Sequence, residues 1–170
     1  MKYVSLITLL CISCCLYTSA QKIEKGNLDA LKNQNELQFE INYSQVSICG
    51  QNEEQFAQTE KDWYLDRPRY EGRLYEGINN YLANNYFIVS NTIHSKYKAT
   101  LYPILIDRKG NIKSRLEIVD TTTNNTVCIV SIYGKGGTFG TMLNLIGDGM
   151  QSTGKQIGLL LSPKKTTQKK

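Results

Sequence analysis

The chain has 170 residues, with 20 lysines and arginines against 15 aspartates and glutamates and a formal charge of +5. Five of the basic residues lie near the two ends: Lys2, Lys164, Lys165, Lys169 and Lys170. Without them the count is 15 basic against 15 acidic residues, so charge gives no argument for nucleic-acid binding. The length suits a single folded domain.

The first 20 residues have the order of a secretory signal peptide. Lys2 precedes an apolar run over residues 4–17, and small residues at Thr18 and Ala20 suit cleavage before Gln21. The run is shorter than the roughly 20 apolar residues of a membrane-spanning helix. Lipidation at Cys14 is the alternative. We therefore expect an exported protein, periplasmic or associated with the outer membrane, that has no membrane span in its mature form.

Removal of the signal leaves two cysteines, Cys49 and Cys128. Two thiols alone do not complete a tetrahedral metal site, and the sequence predicts no metal and no cofactor. Unpaired core thiols are the favoured interpretation, because free cysteine is often buried, and a disulfide stays open as the alternative.

Residues 21–36 are polar and predict a leader with a short helical turn around Leu28 and Leu31. Residues 37–43 then alternate between apolar and polar side chains, which predicts a strand that continues toward Ile48. Residues 53–61 predict a first helical stretch or a structured loop.

A second helix is predicted with Asp66 as its N-cap and Pro68 in its first turn. Its apolar stripe comprises Tyr70, Leu74, Ile78, Tyr81 and Leu82, and Asn84 and Asn85 end it.

Four strands are predicted in the next part of the chain, over residues 86–89, 98–107, 113–121 and 127–133. Pro103 indicates an edge or a bulge, and the turn at residues 107–111 joins two of the strands into a hairpin. The last three form an antiparallel meander. The last strand is rich in β-branched residues, which predicts burial on both faces.

A C-terminal helix is predicted from near Thr138, with a stripe of six apolar residues: Phe139, Leu143, Ile146, Met150, Ile157 and Leu161. Gly147, Gly154 and Gly158 lie on or beside that stripe. Since glycine destabilises a helix interior by about 1 kcal/mol, we expect them to permit close backbone approach to the sheet. Residues 162–170 predict a disordered, lysine-rich tail whose contact with an anionic membrane is at most weak.

The predicted fold class is α+β. We expect one domain over residues 37–161, a two-layer sandwich with a mainly antiparallel sheet of four to five strands and two main helices packed on one face.

One segment, residues 149–156, matches most of the phosphate-loop motif, in which a glycine is followed by any four residues and then by glycine and lysine. Gln156 stands where the motif has a serine or threonine whose hydroxyl holds Mg²⁺, and no strand follows the segment. We expect this segment to be a helix containing packing glycines. A better ligand candidate is the loop of Gly134, Lys135, Gly136, Gly137 and Thr138, which precedes a predicted helix N-terminus and offers backbone N–H groups to an anion. A sharp strand-to-helix turn is its simpler role.

Aromatic and basic residues crowd the second helical region. Trp63, Tyr64, Arg67 and Arg69 are the residue types of protein interfaces and form our predicted partner surface. The leading hypothesis is a non-enzymatic binding or assembly module that recognises another envelope component. The alternative is a small hydrolase acting on an envelope-derived substrate. A cluster of His94, the only histidine, with a cysteine or serine and a carboxylate would favour that alternative.

The order of elements resembles a family of uncharacterised exported proteins of Gram-negative anaerobes. The resemblance covers residues 37–161 and is carried by Trp63, residues 67–73, Asp120 with Asn124, and the glycine-rich run 134–149. It implies no catalytic residues. In topology alone the layout is similar to the non-catalytic lipoprotein domains of penicillin-binding-protein activators and of the curli-secretion lipoprotein. Cleavage before Gln21 would depart from that distant group, because it removes the lipid anchor.

Overall fold

The computed structural model describes residues 20–82 and 87–162. The predicted signal peptide up to Ser19, its alternative lipidation site Cys14, Asn84 and Asn85, and the tail beyond Ser162 lie outside the described residues. In chain order the elements are β1 (Gln21–Gly26), β2 (Glu36–Ile41), β3 (Ser47–Ile48), α1 (Glu53–Thr59), α2 (Trp63–Leu82), β4 (Ile88–Ser90), β5 (Tyr97–Ile106), β6 (Ile112–Asp120), β7 (Asn125–Gly134) and α3 (Met142–Leu161). In this part of the chain, no helix has the length and apolar character needed to span a membrane.

The predicted antiparallel meander is confirmed as β5, β6 and β7. The two turns that join these strands use backbone that favours glycine or asparagine, with Gly110 at φ +73° and Asn124 at φ +55°. The register of β5 against β6 shifts between Pro103 and Leu105. Pro103 therefore marks a bulge in an interior strand, where the missing N–H removes a ladder bond.

The α+β class is confirmed, but the expected sheet is wrong in two respects. It has seven strands, in the order β1-β7-β6-β5-β2-β4 with β3 beside β5, instead of four to five. It is also mixed, because β2 runs parallel to both β4 and β5, and β3 runs parallel to β5. The helical segment between β2 and β4 supplies the long crossover that a parallel pair needs.

The segment interpreted as a polar leader contributes a strand. β1 pairs antiparallel with β7, from Gln21 opposite Ile132 to Gly26 opposite Cys128. Its side chains are mostly exposed and only Ile23 is apolar, so backbone hydrogen bonding to β7 defines it more than burial does. The short helical turn expected near Leu28 and Leu31 is present at Asp29–Leu31.

The last strand is buried on one face, not on both. Cys128, Val130 and Ile132 are buried beneath the helices, while the residues between them are partly exposed and Tyr133 is exposed. β7 is interior because β1 pairs with its outer edge, and no helix of the described residues covers its second face.

The two helical segments before β4 are separate helices. α1 begins with a capping box, in which Asn52 accepts from the Gln55 N–H and the Gln55 side chain accepts from the Asn52 N–H. α2 begins at Trp63, so Asp66 lies inside the helix and is not its cap. Pro68 falls in the second turn, where one hydrogen bond is lost.

The third helix begins later than expected, at Met142, with Thr141 as its N-cap. The three glycines of the predicted stripe, Gly147, Gly154 and Gly158, face α2 and not the sheet. A Cβ on Gly154 would lie 2.1 Å from the Leu74 carbonyl oxygen, and one on Gly158 would lie 2.6 Å from that of Ile78. The later residue of α3, Gly158, meets the later residue of α2, Ile78, and so the two helices run parallel. The expectation that α3 places its glycines on the sheet is therefore wrong, although close backbone approach is their role.

The core lies between the sheet and these two helices. Fully buried side chains include Phe39 and Leu101 of the sheet, Leu74 and Ile78 of α2, and Ile157 of α3. Tyr75 of α2 packs edge-on against Phe39 and donates a hydrogen bond to its carbonyl oxygen. Tyr81, expected on the buried stripe of α2, is 37% exposed.

Candidate functional site

The two predicted site segments lie at the same end of the domain, where α2 and α3 both begin. We call it the helix N-terminal end and define it by α1, the first two turns of α2 and the loop of residues 135–141. Three contacts lie around this end: Cys49 Sγ lies 3.5 Å from Met142 Sδ, Arg73 of α2 pairs with Asp148 of α3 at 2.6 Å, and the Gly136 N–H donates to Asn111 Oδ1 at 3.0 Å.

The glycines of the predicted ligand loop are required by close packing. A Cβ on Gly134 would lie 2.0 Å from Thr153 Oγ1, and one on Gly136 would lie 1.9 Å from the Lys109 carbonyl oxygen. The simpler role, a tight passage from β7 to α3, accounts for both positions. Replacing Gly136 with a larger residue, as in Gly136→Val, would therefore disturb the packing of this loop against Lys109.

Two backbone amides of the loop already donate hydrogen bonds to side chains of the protein. The Lys135 N–H donates to Ser152 Oγ at 3.0 Å, and the Gly136 N–H is taken by Asn111. Beside Gly137 lies the carboxylate of Asp148, 2.1 Å from where a Cβ would be. A neighbouring carboxylate disfavours an anion. Anion binding by Gly134, Lys135, Gly136, Gly137 and Thr138 stays a prediction, and these contacts weaken it.

Trp63 is not part of the predicted partner surface, because its side chain is only 1% exposed. It packs edge-on against Phe56 and Tyr43 and lies near Tyr70. Its indole N–H donates to Glu53 Oε1 at 3.0 Å, which satisfies the polar atom of a buried tryptophan. Its role is to join α1, α2 and the segment after β2.

Arg67 is the centre of a half-buried charged cluster. Its guanidinium donates to Glu53 Oε1 at 2.8 Å and lies 3.4 Å from Glu71 Oε1. It also lies 5.3 Å from the ring centre of Tyr43 and 5.5 Å from that of Tyr64. Carboxylates and aromatic rings therefore hold Arg67 in one orientation.

Burial and charge perturb the acids of this cluster. Burial raises the pKa of Glu71, an effect that Arg67 opposes. The pKa of the Tyr43 hydroxyl is raised well above its usual value, first by burial and then by the charge of Glu71. Among the described residues that hydroxyl has no well-aligned hydrogen-bond partner. No sequence pattern indicated Glu53 or Tyr43 as site residues, and the spacing of four between Arg67 and Glu71 was the one signal for Glu71.

Large apolar side chains are exposed at the same end. On α2, Tyr64 is 49% and Leu65 79% exposed, and in the loop before α3 Phe139 is 89% exposed. Phe139 was expected on the buried stripe of the C-terminal helix, but it precedes that helix. Arg69 is exposed nearby and pairs with Asp66 at 3.2 Å.

The residues that would favour a hydrolase are not assembled. His94 is exposed in the loop before β5, whereas Cys49 follows β3 beside α3. The Ser95 hydroxyl accepts from the Gln38 N–H and donates to the Tyr97 carbonyl. Cys49 and Cys128 are free thiols, and burial raises the pKa of both. Within the described ranges no group of three metal-ligating side chains occurs.

The segment with phosphate-loop spacing lies inside α3, as expected. A continuous helix has no free loop amides to surround a phosphate. Lys155 is exposed and its ammonium lies 5.4 Å from the ring centre of Tyr81, so it does not point into a polar cleft.

No family model matches the sequence, and no curated protein matches it. Among solved structures, the PelC dodecamer from Paraburkholderia phytofirmans is similar, with 8% identity, a TM-score of 0.47, and coverage of 85% of this chain and 99% of that chain. A variant of the same PelC protein gives 8% identity and a TM-score of 0.42, with 84% and 97% coverage. We transfer neither function nor residue roles from them.

Proposed function

We propose that the protein is an exported cell-envelope component and a non-enzymatic binding or assembly module, which recognises another envelope component through the helix N-terminal end. The observation that carries this proposal is the exposure of Tyr64 and Leu65 in the first turn of α2 and of Phe139 in the loop before α3. Single exposed apolar residues are ordinary on protein surfaces, whereas several at one place, bordered by arginines, are typical of interaction sites.

The rigidity of the neighbouring cluster supports the same proposal. Arg67 is held by Glu53 and Glu71, so it would lose little conformational entropy on meeting a partner. The aromatic residues beneath it, Trp63 and Tyr70, are buried and fix the start of α2. In the two-layer sandwich we infer, α2 and α3 cover one sheet face, so Tyr64 and Leu65 are presented by a packed helix, while Phe139 lies in the loop before α3.

The export proposal depends on the first 20 residues. It predicts that the protein is recovered from an envelope fraction with Gln21 as its first residue, read by mass spectrometry of the N-terminal peptide. Recovery with a lipid-modified Cys14 would support the alternative anchor. Recovery from the cytoplasm with Met1 intact would contradict export.

The binding proposal is tested with two leucines that are both exposed on helices. Leu65→Ser and Leu159→Ser remove the same side chain, which is 79% exposed on α2 and 44% exposed on α3. Wild type and Leu159→Ser should retain the same component from solubilised envelopes, and Leu65→Ser should lose it. Equal retention by all three proteins, at matched circular dichroism spectra, would refute the proposed surface.

The hydrolase alternative gains no support from the arrangement of His94, Ser95 and Cys49 described above. We therefore propose no second function.

A further inference from the structure

A shallow pocket lies on the sheet face opposite α2 and α3. Its cavity volume is about 420 Å³, and its lining includes Lys22 of β1, Lys113 of β6, and Ser131 and Tyr133 of β7. Lys22 lies opposite Ser131 and Lys113 lies opposite Tyr133 in the register. Cross-strand partners point to the same face with Cβ atoms about 5 Å apart, so both lysines border the pocket, one on each side of β7.

These two lysines have no ionic partner within the described part of the chain. On the same face, Lys98 is paired with Glu40 at 2.7 Å, and Arg115 lies 5.1 Å over the ring of Tyr102. Glu24 of β1 accepts a hydrogen bond from the Ser131 hydroxyl and offsets part of the positive charge. Two lysines against one engaged carboxylate leave the pocket positive.

The pocket also offers apolar area. Tyr133 is 39% exposed, and it is the cross-strand partner of Lys113. A volume of this size falls within the range of small-molecule sites, which combine mostly apolar lining with a few placed polar groups. Charge on two sides and an aromatic ring between them suit a ligand that has an anionic group and a flat or apolar part.

We propose that this pocket binds a small organic anion, with its phosphate or carboxylate group between Lys22 and Lys113 and its ring against Tyr133. The site forms only because the segment before residue 27 pairs with β7. It is independent of the proposed partner surface, and its failure would leave that proposal unaffected.

The test compares inorganic phosphate with phenyl phosphate, titrated into the purified protein at low salt and followed by amide chemical shifts. Phenyl phosphate should bind more tightly than phosphate, with shifts concentrated in β1, β6 and β7. Lys22→Gln and Lys113→Gln should each weaken both probes about two- to fivefold, as expected for one exposed ionic contact. Tyr133→Leu should weaken phenyl phosphate and leave phosphate unchanged.

Lys61→Gln is the matched control, because it removes one exposed lysine charge between α1 and α2, outside the pocket. An equal loss of affinity in Lys61→Gln would show attraction to net charge only and would overturn the proposal. Absence of binding by either probe, or unchanged affinity in the Lys22→Gln and Lys113→Gln double variant, would also overturn it.

Discussion

The contact between α2 and α3 makes a strong prediction about two glycines. A Cβ on Gly154 would lie 2.1 Å from the carbonyl oxygen of Leu74 and 3.0 Å from its carbonyl carbon. Both atoms belong to helical backbone and cannot rotate away. Gly154→Ala therefore requires the two helices to separate by about 1 Å. In contrast, a Cβ on Gly72, which lies inside α2, would meet nothing within 4 Å.

The expected free-energy changes have opposite signs. Overpacking typically destabilises by about 1–3 kcal/mol, and a contact between backbones belongs near the upper limit. Alanine recovers about 1 kcal/mol of helix propensity, so Gly154→Ala should lose about 1–2 kcal/mol of unfolding free energy. Gly72→Ala has the same propensity gain without the clash and should become more stable by about 0.5–1 kcal/mol. Gly154→Leu should lose more than Gly154→Ala.

Denaturant unfolding of the wild type and both alanine variants measures these changes directly. For a chain of this size 1 kcal/mol corresponds to about 2–4 °C in the melting temperature, so thermal unfolding should separate the variants as well. A Gly154→Ala protein as stable as Gly72→Ala would refute the close parallel packing of α2 on α3.

Three further predictions concern the half-buried charged cluster, the single tryptophan and β1. Because burial raises the pKa of Glu71 above its usual 4.5, this group favours folding below that pH, and its contribution is lost as pH rises through the folded-state pKa. The unfolding free energy of Glu71→Gln, taken relative to that of the wild type in denaturant titrations, should therefore increase from pH 4 to pH 7. Glu76→Gln, exposed on the same helix, should show no such increase. A Glu71→Gln difference that stays the same across this pH range would contradict the prediction. Trp63 is the only tryptophan and is buried, so iodide should quench its fluorescence only after unfolding, and strong quenching of the folded protein would mean that it is exposed. A chain starting at Asn27 should be less stable than one starting at Ala20 and should associate at high concentration, measured by sedimentation, because the edge of β7 is uncovered; a stable monomer would show that β1 is dispensable.

Local patterns were sufficient for some parts of the fold. Alternation predicted β2, and the turn at residues 107–111 predicted the hairpin of β5 and β6. Pro103 indicated an edge or a bulge, and the structure has the bulge. The stripe of Tyr70, Leu74, Ile78 and Leu82 predicted the buried face of α2. In each case the signal arises within a few residues, and neighbouring side chains determine it.

The candidate site was predicted less well. The sequence grouped Tyr64, Arg67 and Arg69, which lie together at the start of α2, but it assigned the buried Trp63 to the same surface. Residue type alone does not separate a tryptophan that binds a partner from one that fills the core. Glu53 was missed because it lies 14 residues before Arg67, and only the packing of α1 against α2 brings them together.

The sequence by itself determined the α+β class, the meander and the amphipathic helices, since periodicity fixes which side of each element is apolar. Only the tertiary structure decided that Gly154 and Gly158 of α3 meet α2, that β2 pairs in parallel, and that residues 21–26 become β1. The physical reason is that periodicity shows which side of an element is buried but does not show which other element packs against that side. Backbone pairing at a sheet edge leaves almost no trace in side-chain pattern.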